Sequence, residues 1–268
     1  MKILFASLIF LLALSCGSER STAQRLRESL AMAAPSGISV ANANSFSFAV
    51  VGDTHLGNDM QNLQTILTNT AAEGDEFLIL LGDIVDKGVR ADMDAVKAAV
   101  AASALSGKVL YIVGNHDVFD DGWAHFKADF GPSVYSLTIG NSQFIALDTA
   151  DGTVGRDQTE WLTAQFGVPA PTHRFLLSHY LPHVPHQRTY LRLADEVEAA
   201  RLMKLAGNHS VSAWFGGHYH SYGVEAIEGV SYIVAGGGGG RKMQPVTSNF
   251  FVQVVVNGSN VSFNLRTF

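Results

Sequence analysis

The stretch Phe77-Leu78-Ile79-Leu80-Leu81-Gly82-Asp83-Ile84-Val85-Asp86 decides the fold. Its first five residues are apolar without a polar break, so the run has no solvent face and reads as a strand buried on both sides. Glycine and aspartate follow at once, where a strand ends and the chain turns. Four other stretches repeat the arrangement. Val50-Val51 runs into Gly52-Asp53-Thr54-His55, and Ile112-Val113 into Gly114-Asn115-His116-Asp117. Leu177-Ser178 runs into His179, and Trp214-Phe215 into Gly216-Gly217-His218-Tyr219-His220. Helix-like stretches fall between them, at Asn58 to Ala72, Ala91 to Leu105, Trp123 to Phe130, Gln158 to Phe166 and Glu196 to Leu205. Apolar strands alternating with helices predict an α/β domain with its site outside the carboxyl ends of the strands. The runs Tyr232–Ala235, Phe251–Val256 and Val261–Leu265 lack intervening helices, which predicts an antiparallel portion.

The polar residues after these runs share a chemistry. Residues i and i+2 of an extended segment point to one side, so Asp53 and His55 are able to aim at one ion, and His218 and His220 at one cavity. Carboxylate, amide oxygen and imidazole suit Zn, Mn or Fe, and the lack of thiolates argues against a structural zinc cluster. Each stretch alone is weak, since a single Gly-Asp or Gly-Asn-His-Asp is mostly turn chemistry. Their joint presence is not: of ten histidines, five (His55, His116, His179, His218 and His220) fall in these segments.

The ordered set Asp-x-His, Gly-Asp-x-x-Asp, Gly-Asn-His-Asp, a lone His and Gly-His-x-His resembles the calcineurin-like metallophosphoesterase family, over about Phe46 to Gly240 and with no motif position missing. The resemblance implies two mixed β-sheets packed as a sandwich and flanked by helices, with the site at one edge. It implies two metal ions, Fe, Mn or Zn. Asp53, His55, Asp83 and His220 would hold the first; Asp83, Asn115, His179 and His218 would hold the second, so that Asp83 is shared. It places His116 beside the leaving group with Asp86 orienting it. Hydrolysis of a phosphomonoester or phosphodiester by a hydroxide between the ions is the implied activity. Asp86 stands where the purple acid phosphatases carry an iron-binding tyrosine, so no purple chromophore is expected. The competing reading is a non-catalytic surface lipoprotein that binds metal or a ligand; retention of His116, an acid that binding alone does not need, weighs against it.

Composition bounds the rest. A chain of 268 residues, 47% hydrophobic, has enough apolar material for one large core. A net charge of −6 argues against binding a nucleic-acid polymer. Met1-Lys2 followed by the apolar run Ile3 to Leu14 has the anatomy of a signal peptide over residues 1–15. The single cysteine, Cys16, sits at the expected processing point and excludes an intrachain disulfide. Lipid on Cys16 would be the one membrane contact, and the expectation is an exported bacterial protein, periplasmic or membrane-anchored. Residues 16–45, rich in Ser, Ala and Asn, read as a flexible tether, with a weak helix at Ser21 to Ala33; the enzyme domain is expected over 46–268. Asp148, after another apolar run, reads as a structural or capping residue, and Gly236 to Gly240 as either a flexible turn or a loop that lets backbone approach the substrate.

Overall fold

A computed structural model describes residues 20–57, 60–169, 171–186, 191–243 and 246–268. Two mixed sheets face each other. The first has five strands in the order β11-β10-β1-β2-β3, built from β1 (Ser45–Val51), β2 (Leu78–Leu81), β3 (Val109–Ile112), β10 (Phe250–Asn257) and β11 (Asn260–Thr267). The neighbours β1, β2 and β3 run parallel, and β10 and β11 are antiparallel to their partners. The second has six strands in the order β4-β5-β6-β7-β9-β8. It comprises β4 (Tyr135–Ile139), β5 (Ser142–Ala146), β6 (His173–Leu177), β7 (Ala213–Gly216), β8 (Tyr222–Ile227) and β9 (Val230–Ala235). Its middle strands β5, β6, β7 and β9 are parallel, while β4 and β8 close the two edges antiparallel.

The period of two in a strand sorts the side chains into layers. Phe77, Ile79 and Leu81 point between the sheets, where they meet Phe144, Phe175 and Phe215 from the other side. Phe48 is the hub of that layer, stacked on Phe77 at 4.8 Å and edge-on to Phe144 at 5.3 Å. Leu78 and Leu80 point outward and are covered by helices α2 (Gln61–Ala72) and α3 (Arg90–Ala101), through Leu63, Ile66, Met93 and Val96. α4 (Gly122–Phe130) adds Trp123 and Phe126 to the same layer. On the far side, Ile145, Leu176 and Trp214 are covered by α5 (Arg156–Phe166) and α6 (Glu196–Asn208). The order helix, sheet, sheet, helix is the expected sandwich.

The expected tether is not one over the described residues. Thr22–Leu30 is a helix, α1, docked by a fully buried arginine. Arg25 donates from Nε and Nη2 to the two carboxylate oxygens of Asp148, at 2.8 and 2.9 Å. The Asp151 carboxylate accepts the Thr22 N–H at 2.7 Å at the start of the helix, and Glu28 accepts from the Trp123 indole at 2.9 Å and pairs with Lys127. α1 therefore spans from the loop before α5 to α4. Further along, Ile38 and Val40 pack on the inter-sheet core. Sequence reading underestimated the segment because its partners lie more than ninety positions away and its anchor is a charge pair rather than an apolar stripe. The signal peptide and Cys16 lie outside the described residues. No helix among the described residues is long and apolar enough to cross a membrane.

Candidate metal centre

The carboxyl ends of parallel strands from both sheets meet at one edge. β1 delivers Asp53 and His55, β2 delivers Asp83 and Asp86, and β3 delivers Asn115 and His116. From the other sheet β6 delivers His179, and β7 delivers His218 and His220. All nine residues singled out in the sequence come to this edge, joined by the contacts that follow.

Three groups bring ligand atoms within 4.8 Å of one another and are able to hold an ion: Asp53, His55 and His220; Asp83, His179 and His218; and His55, Asp83 and His116. His55 Nε2 and His220 Nε2 face each other at 3.1 Å, and His220 Nε2 lies 3.4 Å from Asp53 Oδ1. Asp83 Oδ2 is 3.2 Å from His179 Nε2 and 3.6 Å from His55 Nε2. Asn115 Oδ1 is 3.1 Å from the same His179 nitrogen.

Backbone carbonyls set the ring tautomers. A carbonyl only accepts, so a ring nitrogen bonded to one carries the proton. His179 Nδ1–H donates to Leu81 O at 2.8 Å, His220 Nδ1–H to Arg241 O at 2.9 Å, and His116 Nδ1–H to Asp86 O at 2.8 Å. Each ring then turns Nε2 toward the centre, the arrangement in which an outer hydrogen bond orients a metal ligand. The contact between Asp86 and His116 differs from expectation. It runs through the Asp86 carbonyl; the carboxylate stays 3.9 Å from His116 Nδ1 and is 60% exposed.

The electrostatics fit a site that lacks positive charge. Asp53 Oδ2 is buried without a hydrogen-bond partner, although Oδ1 accepts the His218 N–H at 3.1 Å. Burial pushes the Asp83 carboxyl up, but His179 and the His116 N–H outweigh it and hold it well below the usual range. Burial opposes the charge of His179 as well, yet Asp83 prevails and pushes its pKa up to about 9. His218 goes the other way, down to about 4, from burial and its neighbour His179. Burial also lowers His55. The Asp83 carboxylate thus favours a proton on His179, which a bound dication would displace.

The backbone at this edge is strained. Asp53, His55, Asp83 and His218 have φ of 62°, 44°, 48° and 62°. Left-handed conformation at non-glycine residues collects at functional sites, where the surroundings hold it in place. Gly82 adopts φ +84°, and a Cβ there would lie 2.7 Å from Gly114 N and 2.8 Å from His179 Nδ1. The Gly236 to Gly240 run is packed against the site: Gly238 N–H donates to Gly52 O at 2.9 Å and Gly240 N–H to Asp53 O at 2.8 Å. It forms the wall behind Asp53.

One working residue had no role assigned from sequence. Asp117 is fully buried, and its Oδ1 accepts the N–H groups of Ile84 (2.9 Å) and Val85 (3.1 Å) while Oδ2 accepts that of Gly114 (2.8 Å). It ties the loop after β2 to the loop after β3. Burial, helped by Asp83, pushes its pKa up to about 7. The signal was its place as the last residue of Gly114-Asn115-His116-Asp117. Tyr180 is a second addition: its ring lies 3.8 Å from that of His218, and its N–H donates to Thr149 Oγ1 at 2.8 Å.

A helix-flanked double sheet with carboxylates and imidazoles gathered at one edge defines a metal-dependent hydrolase of phosphoric esters. Residues 46–222 match the family described as "Calcineurin-like phosphoesterase". The chain belongs to that family. It is 27% identical over 188 residues to a "Probable cyclic nucleotide phosphodiesterase" of Fibrobacter succinogenes, across 64% of this chain and 71% of that one. Among solved structures it is similar to a purple acid phosphatase of yellow lupin, with TM-score 0.70, 16% identity and 83% of this chain covered. The match spans about half of the lupin chain, 51%. It is similar too to a dimetal phosphatase of Danio rerio, with TM-score 0.65 and 16% identity, covering 83% of this chain and 96% of that one. At such identities the solved structures bear on the fold alone.

Proposed function

We propose that this chain hydrolyses phosphate esters with two metal ions. Asp53, His55, Asp83 and His220 would hold one, and Asp83, Asn115, His179 and His218 the other. The carrying observation is the position of Asp83 Oδ2, within 3.6 Å of His55 Nε2 and 3.2 Å of His179 Nε2. One oxygen thus serves both clusters. The unpartnered Asp53 Oδ2 and the inward Nε2 atoms support the fit. Nitrogen and oxygen donors without thiolate favour Fe, Mn or Zn. Such ions would supply Lewis acidity and an activated water.

The chain's own contribution is orientation and a proton. Asp86 O holds the His116 ring by Nδ1, so the second proton of an imidazolium sits on Nε2, 4.0 Å from Asp83 Oδ2. From there it is delivered to the departing oxygen. The relative's name makes cyclic nucleotides a natural part of the substrate panel beside simple monoesters and diesters.

Two measurements test the reading. Metal-reconstituted protein should turn over a phosphomonoester or phosphodiester from such a panel, and metal analysis should give two ions per chain; no turnover by fully loaded protein overturns it. His116→Asn should keep its metal and lose about 10²–10⁴-fold in turnover; unchanged turnover removes His116 from the chemistry. The exported, Cys16-lipidated state belongs to the same proposal, supported by the anatomy of residues 1–16. The intact mass of protein taken from membranes checks it, with Cys16→Ser moving the protein to the soluble fraction.

A further inference from the structure

We infer that Phe119 is the platform on which the leaving group rests, and that the preferred leaving alcohol carries an aromatic ring. The inference rests on the hydrolytic reading, with His116 on the leaving-group side. Three ring contacts link four side chains at the site. Phe119 lies 4.9 Å from His116, His116 lies 4.6 Å from His55, and His55 lies 4.9 Å from His220, centroid to centroid. Of the two rings paired with His116, Phe119 is the one outside the candidate ligand set. Val118 and Trp123 are buried in the helix-side core, while Phe119 is 38% exposed and begins an exposed turn with Asp120 and Asp121. A single exposed apolar ring is ordinary on a protein surface; what distinguishes Phe119 is that it pairs with His116 at the metal edge.

The presentation is enforced by the backbone. Phe119 breaks the 3₁₀ segment His116–Asp121 with an extended ψ of 151°, and Asp120 and Asp121 follow at φ 55° and 63°. Two consecutive left-handed non-glycine residues carry strain that the fold must hold. Gly88 and Gly122 hold it. A Cβ on Gly88 would lie 2.4 Å from both Phe119 O and Gly122 Cα, so the β2 side packs directly against this turn. The ring is tilted 51° to His116 rather than stacked flat on it. Aromatic rings pair in offset or tilted geometries, so a third ring entering between leaving-group oxygen and solvent has a face to stack on.

The test separates ring recognition from turnover. Manganese-loaded protein is titrated calorimetrically with ethylphosphonate and with 2-phenylethylphosphonate, which differ only in the ring. The native chain should favour the second about tenfold, ~1.4 kcal/mol. Phe119→Ala should bring the ratio of the two affinities close to one, and Phe119→Trp should keep it high. Equal affinities in the native chain, or a ratio that survives Phe119→Ala, overturns the inference. Turnover of ethyl phosphate against 2-phenylethyl phosphate completes the design. Ring preference in binding without turnover of any ester refutes the hydrolytic reading and leaves the platform standing. Equal turnover and equal binding of both refutes the platform and leaves the hydrolytic reading standing.

Discussion

Removing the Arg25 side chain should cost this protein more than almost any change outside its central core. In Arg25→Ala, Asp148 loses both guanidinium contacts, at 2.8 and 2.9 Å, and keeps the Ser133 hydroxyl at 2.8 Å and the Ala150 N–H at 3.2 Å. Both members of the pair are essentially inaccessible to water, with side-chain exposures of 1% and 0%. Breaking a buried pair from one side typically costs about 3–5 kcal/mol, because the remaining charge stays buried. At ~2–4 °C per kcal/mol for a domain of this size, the midpoint of thermal unfolding should fall by about 6–20 °C. Urea denaturation of the metal-loaded chain, at one fixed metal concentration since bound metal adds its own stability, is the assay. Arg25→Met with Asp148→Leu should recover most of the loss, because the pair is then replaced by apolar packing. A loss below about 1 kcal/mol for Arg25→Ala would return residues 20–33 to the status of a tether and refute the reasoning.

Chelation should lower the melting temperature of the native chain, since an ion at about 100 times its Kd adds ~2.7 kcal/mol by mass action; Asp53→Ala should erase that difference, as read by scanning calorimetry. Metal uptake at neutral pH should release protons into weakly buffered solution. His179, pushed up to about 9 beside Asp83, must shed its proton to bind, so affinity should weaken as pH falls below that value, by up to about tenfold per unit for one proton. A pH-stat titration that shows no release contradicts this. Gly82→Ala should abolish stoichiometric metal binding, because the new Cβ would meet Gly114 N and His179 Nδ1 at 2.7 and 2.8 Å on a backbone already at φ +84°; elemental analysis of the purified variant decides.

The strands that build the site were legible because they are buried on both faces. Runs such as Leu78–Leu81 and Phe175–Leu177 leave no room for polar alternation, so composition alone marks them, whereas the start of β6 at His173-Arg174 is polar and was not legible. The ligands were legible because they follow those runs in a fixed order. What escaped is what depends on distant or backbone partners. Strand β8 exposes Val224 and Ala226 at the sheet edge and buries only Gly223, so its pattern is nearly that of a loop. Helix α1 gives no sign that Arg25 will meet Asp148. The orientation of His116 by the Asp86 carbonyl is invisible in side-chain identity, since every residue carries that group. Asp117 was quoted as part of a motif, yet its three N–H contacts arise only once two loops are brought together. The left-handed backbone of Asp53, His55, Asp83 and His218 is equally hidden, because no glycine announces it.

Two of the three ligand groups at the metal edge draw on both sheets: Asp53 and His55 with His220, and Asp83 with His179 and His218. This has a consequence in time. The phenylalanine layer is exposed only when the sheets part, and with ions in place the sheets cannot part at that edge until coordination bonds break. The lifetime of the folded chain against proteases would then be set by the dissociation rate of its slower ion, so that a chain held in chelator and a chain held in metal could share the same fold yet differ in half-life by orders of magnitude.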